Sequence, residues 1–374
     1  MGKVVLVTGV ARQLGARFAE RIRRQPGVDL VVGVDVEPAG RRPFPSGDPQ
    51  GQAPPAEYVF APADLRRPAI ARVLAEYAVD TVVHLNVSAT SPAAVGRAAV
   101  KEINVIGSMQ LLGACQQSST VRRLVVKSTT GVYGSTPRDP AVFGEQTQPK
   151  TLPSGGFAKD AAEVEGYVRG FGRRRPDVAV CVLRFANIVG PGADTPLSEY
   201  FTLPVLPTVL GYDPRLQFVH EDDAVEVLRL ATLDPAAAEA PDTAPDTTGT
   251  RNTGTFNVAG EGVLLLSQCA RRLGRPTVPM LLPALGWVAA LARQTRVSDF
   301  SAEQIGLLMH GRVVDTTALR EVFGYQPRFT TPEAFADFAA GQSRGLLPPE
   351  RLTAVTDRLA ALLRHDLPAT GDRS

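Results

Sequence analysis

The chain has 374 residues, 44% of them hydrophobic and 21% charged, with a formal net charge of +2. This is the composition of a globular protein with room for one large or two medium domains, and it excludes the basic footprint of a nucleic-acid binder. The three cysteines (Cys115, Cys181, Cys269) and four histidines fall at no metal-ligand spacing, no apolar run reaches membrane-span length and no secretory segment precedes the first strand; a reducing, cytoplasmic setting without metal or integral membrane segment is expected.

Lys3 to Val7 is an apolar, β-branched run suited to one buried strand, closed by Thr8-Gly9. Beyond it the period changes: Leu14, Phe18 and Ile22 fall four apart, on one face of a helix. A glycine turn between strand and helix presents backbone N–H groups and the positive helix end to a phosphate. Leu30 to Val34 predicts a second strand, and Asp35 ends it. A carboxylate there accepts from a ribose 2′-OH and repels a 2′-phosphate, so dinucleotide binding is expected, with NAD preferred over NADP. Arg12 stands where the middle glycine of a Gly-x-x-Gly-x-x-Gly turn belongs. It points to solvent, pairs with Asp35 or contacts a cofactor phosphate; in the last case it blurs the preference for NAD, as Arg41 and Arg42 also would.

The region from Glu37 to Glu57 reads as an exposed loop, and Tyr58 to Ala61 as a third strand, followed by Asp64-Leu65. Ala69 to Tyr77 is helical, and Asp80 to Leu85 is a fourth strand running into His84-Leu85-Asn86-Val87. A long helix over about 93–117 carries Ile103, Ile106, Gln110 and Leu111 on its apolar face and Asn104 in its middle. Arg123 to Lys127 is a fifth strand, leading into Ser128-Thr129-Thr130-Gly131-Val132-Tyr133-Gly134. Helix Ala158 to Arg173 precedes a sixth strand, Val178 to Leu183, which runs into Arg184 to Gly192. This alternation predicts an α/β, Rossmann-type doubly wound parallel sheet, with polar residues converging at the carboxyl ends of its strands. Leu216 to Val219 is read as a strand, 221–233 as a helix, 234–253 as a flexible low-complexity loop and Thr255 to Val258 as a strand. Short helices follow at Ser267 to Leu273, Ala302 to Met309 and Thr316 to Phe323, with an amphipathic tail segment at Leu352 to Leu363. The apolar run Met280 to Leu291 is a core or dimer-contact helix, the lining of a hydrophobic substrate site or a membrane-resting surface.

Taken together, these motifs resemble the extended short-chain dehydrogenase/reductase family in its NAD-dependent epimerase/dehydratase branch, over about residues 3–335. The resemblance implies an NAD(P)-binding Rossmann domain over 1–185, to which 216–233 returns, a smaller C-terminal α/β substrate lobe from 186–215 and 256–345, and a tail over 346–374. It implies cofactor contacts from Gly9, Arg12, Gln13, Leu14 and Gly15 in the turn, from Asp35, Asp64 and Leu65, and from Leu85, Asn86, Val87 and Asn104. Ser128, Lys159, Phe185 and Asn187 complete that set, and Thr129, Asn187 and Arg215 are the implied substrate contacts.

The family's mechanism uses a Ser/Thr, a Tyr and a Lys, the cation drawing the tyrosine's pKa toward neutrality. Thr129 matches the first and Lys159 the last, but the tyrosine position is Gly155. Tyr133, Ser154 or the substrate would have to supply the missing group, and Lys159 is otherwise a ribose anchor. For a nucleotide sugar the cations are also altered: Leu216 stands at a customary Arg with Arg215 beside it, and His310-Gly311-Arg312 is the nearest counterpart of a later phosphate motif. The implied activity is hydride transfer between nicotinamide and a hydroxyl or carbonyl carbon of a nucleotide sugar. The alternatives are a dehydrogenase or reductase of a hydrophobic alcohol or ketone, and a non-catalytic NAD(P)-binding sensor or scaffold. A homodimer pairing through helices near 93–117 and 158–173 is implied by the resemblance alone.

Overall fold

A computed structural model of the chain describes residues 2–38, 55–89, 97–150, 153, 156–233, 252–282 and 302–342. Ser154 and Gly155, most of the loops read at 37–57 and 234–253, most of the apolar run at 280–291 and the tail lie outside these residues.

Seven strands form one sheet in the order β11-β6-β5-β4-β1-β2-β3. They are β1 (Lys3–Thr8), β2 (Val28–Asp35), β3 (Glu57–Pro62), β4 (Thr81–His84), β5 (Arg123–Thr129), β6 (Ala179–Phe185) and β11 (Gly254–Val258). Every pairing between neighbours is parallel. The strand order reverses at β1, which lies between β2 and β4, the position at which open parallel sheets take ligands beyond their carboxyl ends. Parallel strands covered on both faces need apolar residues on both, and Val5, Leu6 and Val7 are all fully buried. Leu6, Val82, Leu124 and Val126 pack with α2 (Ala69–Glu76), α4 (Gly107–Gln117) and α5 (Gly156–Arg174) on one face. Val5, Val7, Val83 and Val125 pack with α1 (Gln13–Ile22) and α7 (Glu221–Thr232) on the other.

The helix before β5 differs from the expected one. A short α3 (Arg97–Lys101) runs into a π-helical turn over Glu102–Ile106 and then α4, with Gly107 N–H donating to Glu102 C=O. The extra residue rotates the buried face. Asn104, Ser108, Leu111 and Cys115 point inward, whereas Ile106 and Gln110, expected on the apolar face, are exposed. The polar pair replaces them because each has hydrogen-bond partners inside.

A second apolar cluster gathers α6 (Pro196–Thr202), β8 (Leu206–Val209), β9 (Arg215–Leu216), β10 (Phe218–His220), β12 (Leu264–Leu265), α8 (Leu266–Arg272), α9 (Ala302–His310) and α11 (Thr331–Ala340). Phe201, Phe218, Phe335 and Phe338 form its centre, with Phe201 edge-on to Phe335 at 5.1 Å between ring centroids. The stretch read as one strand over 216–219 is two, because β9 pairs with β12 while β10 pairs with β7 (Asn187–Val189). Helix α11 went unread although Thr330 and Glu333 form a capping box with a proline in the first turn. β13 (Thr277–Met280) pairs with β8, and α10 (Thr317–Glu321) packs on β11. No described helix is long and apolar enough to cross a membrane.

Candidate active site

The turn after β1 is built for close approach. Gly9 has φ +80°, and a Cβ on Gly15 would collide with the Gly9 carbonyl. Arg12, at the helix N-cap in extended conformation, replaces the middle glycine without disturbing this contact. Burial pushes the Arg12 pKa down, while Asp35 and Asp194 favour its charge. Asp35 caps the rim: its carboxylate accepts from Ala11 N–H at 3.0 Å and Val36 N–H at 2.8 Å. Burial raises the Asp35 pKa, and those two amides and Arg12 oppose the rise. Gln13 donates to Glu221 at 3.4 Å, and its buried Oε1 has no hydrogen-bond partner among the described residues. Leu14 packs into the α1 side of the core.

At the ends of β4 and β5 the expected contacts separate into two groups. Leu65, Leu85, Val87 and Phe185 are buried apolar side chains, and Asn86 is half-buried beside Gly9. Asp64 forms an ion pair with Arg66 at 2.7 Å, which holds its carboxyl below the usual range. Asn104 is an internal clamp: Oδ1 accepts from Ser88 N–H at 3.1 Å, and Nδ2 donates to Ser88 C=O at 3.0 Å and to Asp160 at 3.1 Å. Beneath it runs a neutral chain. Leu85 N–H donates to Thr8 Oγ1, which bonds His84 Nδ1 at 2.8 Å. His84 Nε2 bonds Ser108 at 2.8 Å, and Ser108 donates to the Asn104 carbonyl. That final carbonyl accepts only, so the hydrogens run one way and His84 carries its proton on Nε2. Burial, with Lys127 nearby, lowers the His84 pKa to about 4.

Ser128 and Tyr133 also turn inward. Ser128 donates to Glu165 at 2.6 Å, and Glu165 holds Arg184 through two hydrogen bonds of 2.9 and 2.7 Å. Arg184 donates to the Tyr133 hydroxyl at 2.8 Å, which donates to Asn257 at 2.8 Å. Tyr133 is 1% exposed and stacked on Phe143. Sequence reasoning offered it as a proton carrier; the fold gives its hydroxyl two internal partners instead. Burial raises its pKa first of all.

Lys127 and Thr129 lie on the opposite face of β5 from Ser128, as strand alternation requires. Lys127 Nζ donates to Val87 C=O at 2.9 Å; burial, then the Arg12 charge, lowers its pKa to about 8. Sequence reasoning placed Lys127 in the strand and gave it no role, although a lysine in an otherwise apolar run was a visible signal. Thr129 Oγ1 accepts from Gly131 N–H at 3.0 Å, which leaves the hydroxyl hydrogen available. Lys159 is exposed on α5, Asn187 is half-buried at the start of β7, and Glu303 on α9 reaches the first turn of α5 by accepting from Ala158 N–H at 2.9 Å. Arg215 is exposed, and Arg312 is 8% exposed with its guanidinium on Gly134 C=O and Ser135. The Arg312 N–H donates to the Arg215 carbonyl at 3.1 Å, and both residues line a cavity of about 460 Å³ with Tyr212, His310 and Asp139. Among the described residues no cluster of His, Cys, Asp and Glu could hold a metal ion.

Comparison with known proteins agrees with this geometry. The NAD dependent epimerase/dehydratase family model matches residues 5–244. An uncharacterized protein of Mycobacterium tuberculosis is 42% identical over 381 residues, covering 99% of this chain and 94% of that protein. Two solved structures share the fold. The UDP-glucose 4-epimerase of Thermotoga maritima, with UDP-glucose, is 19% identical with TM-score 0.62, covering 90% of this chain and 98% of that one. MoeE5 in complex with UDP-glucuronic acid and NAD is 22% identical with TM-score 0.63, covering 91% and 98%. With the family model matched over most of its length and a relative 42% identical along nearly all of it, the chain belongs to the NAD-dependent epimerase/dehydratase family.

Proposed function

We propose that the protein oxidises and re-reduces a hydroxyl-bearing carbon of a nucleotide sugar, using NAD held in the crevice at β1. The observation that carries this reading is the convergence of a sterically closed glycine turn, Asp35, Arg12 and Lys127 on one crevice. These residues fit a dinucleotide. A bound diphosphate would bring opposite charge to Arg12 and Lys127, two cations desolvated by burial. When bound, the nicotinamide supplies hydride acceptance and return. Asp35 selects the free ribose hydroxyl over a 2′-phosphate, Lys159 anchors the nicotinamide ribose, and Thr129 donates to the reacting oxygen. Arg215 and Arg312 neutralise the substrate diphosphate, with Asn187 beside it. The Rossmann domain is read as 1–185 with 216–233, and the substrate lobe as 186–215 with 256–345. Two copies pair through the α4 and α5 faces, where Ile106 and Met109 stand exposed at 41% and 42%. The three buried free cysteines support a reducing, cytoplasmic setting.

The test is to denature the purified protein, identify the released nucleotide by mass spectrometry, and add UDP-glucose or UDP-glucuronic acid to the holo form. Retained NAD and the appearance of reduced-nicotinamide absorbance are expected. In Asp35→Ala the NAD-over-NADP affinity ratio should fall about tenfold, equivalent to ~1.4 kcal/mol. Retention of NADP would overturn the cofactor assignment. Retained NAD that no nucleotide sugar reduces would point to the alcohol dehydrogenase or the sensor.

A further inference from the structure

The sequence carries glycine at 155, where a proton carrier is needed, and the fold turns Tyr133 into the core. Another ionisable side chain reaches the first turn of α5. Glu303, on α9, is 145 residues from Ala158 in sequence, yet its Oε2 accepts the Ala158 N–H at 2.9 Å. Its other oxygen, Oε1, lies over Gly131. A Cβ built on Gly131 would stand 2.9 Å from Glu303 Oε1, 3.2 Å from Thr129 Cγ2 and 3.3 Å from Ala158 Cβ. Gly131 therefore leaves room for the carboxylate, and Glu303, Thr129 and the residue preceding Lys159 surround one small space.

We propose that Glu303 is the general acid–base of this active site, taking the place of the missing tyrosine; this rests on the hydride-transfer reading above. In the oxidative direction the substrate C–H bond breaks as hydride leaves for nicotinamide C4. The substrate O–H bond breaks as its proton passes to Glu303 Oε1, and the C=O bond forms. The nicotinamide is reduced, the substrate carbon is oxidised, and Glu303 ends as the neutral acid. On the return step both transfers reverse, so Glu303 finishes ionised. Thr129 donates its free hydroxyl hydrogen to the same oxygen. The charged groups on elements packed around Glu303 are Lys159 and Asp160 on α5, Arg312 after α9, Asp139 in the 134–141 loop and His310 at the far end of α9. Burial pushes the Arg312 pKa down, and the Glu303 carboxylate opposes that fall.

The test uses Glu303→Gln, whose amide oxygen still accepts from Ala158 N–H, so the helix cap survives. The full chain is loaded with NADH, and single-turnover oxidation by benzaldehyde is followed against pH. The variant is expected to lose roughly 100-fold in rate and to change the pH profile of the wild type. Equal rates, an unchanged profile, or a wild type no faster than free NADH overturn the proposal. Independently, carbon-13 carboxyl resonances of glutamate are recorded in the protein without nucleotide. The Glu303 signal, assigned by its absence from Glu303→Gln or, should that variant not fold, from Glu303→Asp, is expected to move when trifluoroethanol is added as an alcohol probe; indifference overturns the proposal. Benzaldehyde reduction without any response to nucleotide sugars would leave Glu303 standing and remove the sugar substrate.

Discussion

Two buried polar networks support the crevice, and they are built from different chemistry. Under the cofactor side, Thr8, His84, Ser108 and Asn104 form a chain of neutral hydrogen bonds joining the ends of β1 and β4 to the π turn. Beneath the end of β5, Ser128, Glu165, Arg184, Tyr133 and Asn257 form an ionic one joining β5, α5, β6 and β11. A neutral chain adds no charge beneath the glycine turn. An ionic one ties four elements through a single guanidinium, but every member depends on the others. Both networks absorb polar residues that a motif reading assigns to ligand. Thr129, Asn187 and Glu303 stand outside both networks, as does Lys127, whose ammonium is buried against the Val87 carbonyl.

The sharpest way to break this contrast is to remove one charge from the ionic network. Glu165 and Arg184 have side chains only 5% and 11% exposed, so Glu165→Ala leaves a buried guanidinium unpaired. A loss of about 3–5 kcal/mol is expected in urea unfolding, and a loss under 1 kcal/mol would show that solvent reaches Arg184. The neutral network should instead be sensitive to acid. His84 has a pKa near 4 in the fold against an ordinary 6.5, so between those values the unfolded chain binds the extra proton. Its share of stability therefore falls as pH drops from 6.5 to 4 and levels off below, by up to roughly 3 kcal/mol. Urea midpoints across that range should show this loss, and His84→Gln should lack it. The smallest expected effect is Asn104→Ala. It removes both hydrogen bonds that the side chain makes to the Ser88 backbone and costs about 2 kcal/mol, with weakened NAD binding because the loop after β4 is loosened.

The cofactor half was legible because its signals are local. The strand run from Lys3, the turn ending at Gly15 and the strand ending at Asp35 each declare themselves within ten residues, and the order alone builds the switch point. The long helix was placed correctly, but its face was not. A π turn has no strong sequence signal, and Asn104 and Ser108 are polar residues that enter the core because partners wait there. The inward turn of Tyr133 has a similar cause: whether a hydroxyl at a strand end faces outward or into the core depends on Asn257 and Arg184, far along the chain. Glu303 was invisible to motif reading, since nothing near it in sequence refers to α5. The substrate-side cluster suffered most, because its strands are two to four residues long and pair across large separations.

The π turn also constrains how this protein can vary in length. Excising one residue from Glu102–Ile106 would restore regular helix, and everything on the amino side would swing by about 100° relative to α4. Asn104 could not then face Ser88 and Asp160 while Leu111 and Cys115 kept their places. Insertions and deletions between β4 and β5 should therefore gather before Arg97 or after Gln117, leaving the intervening span constant in length.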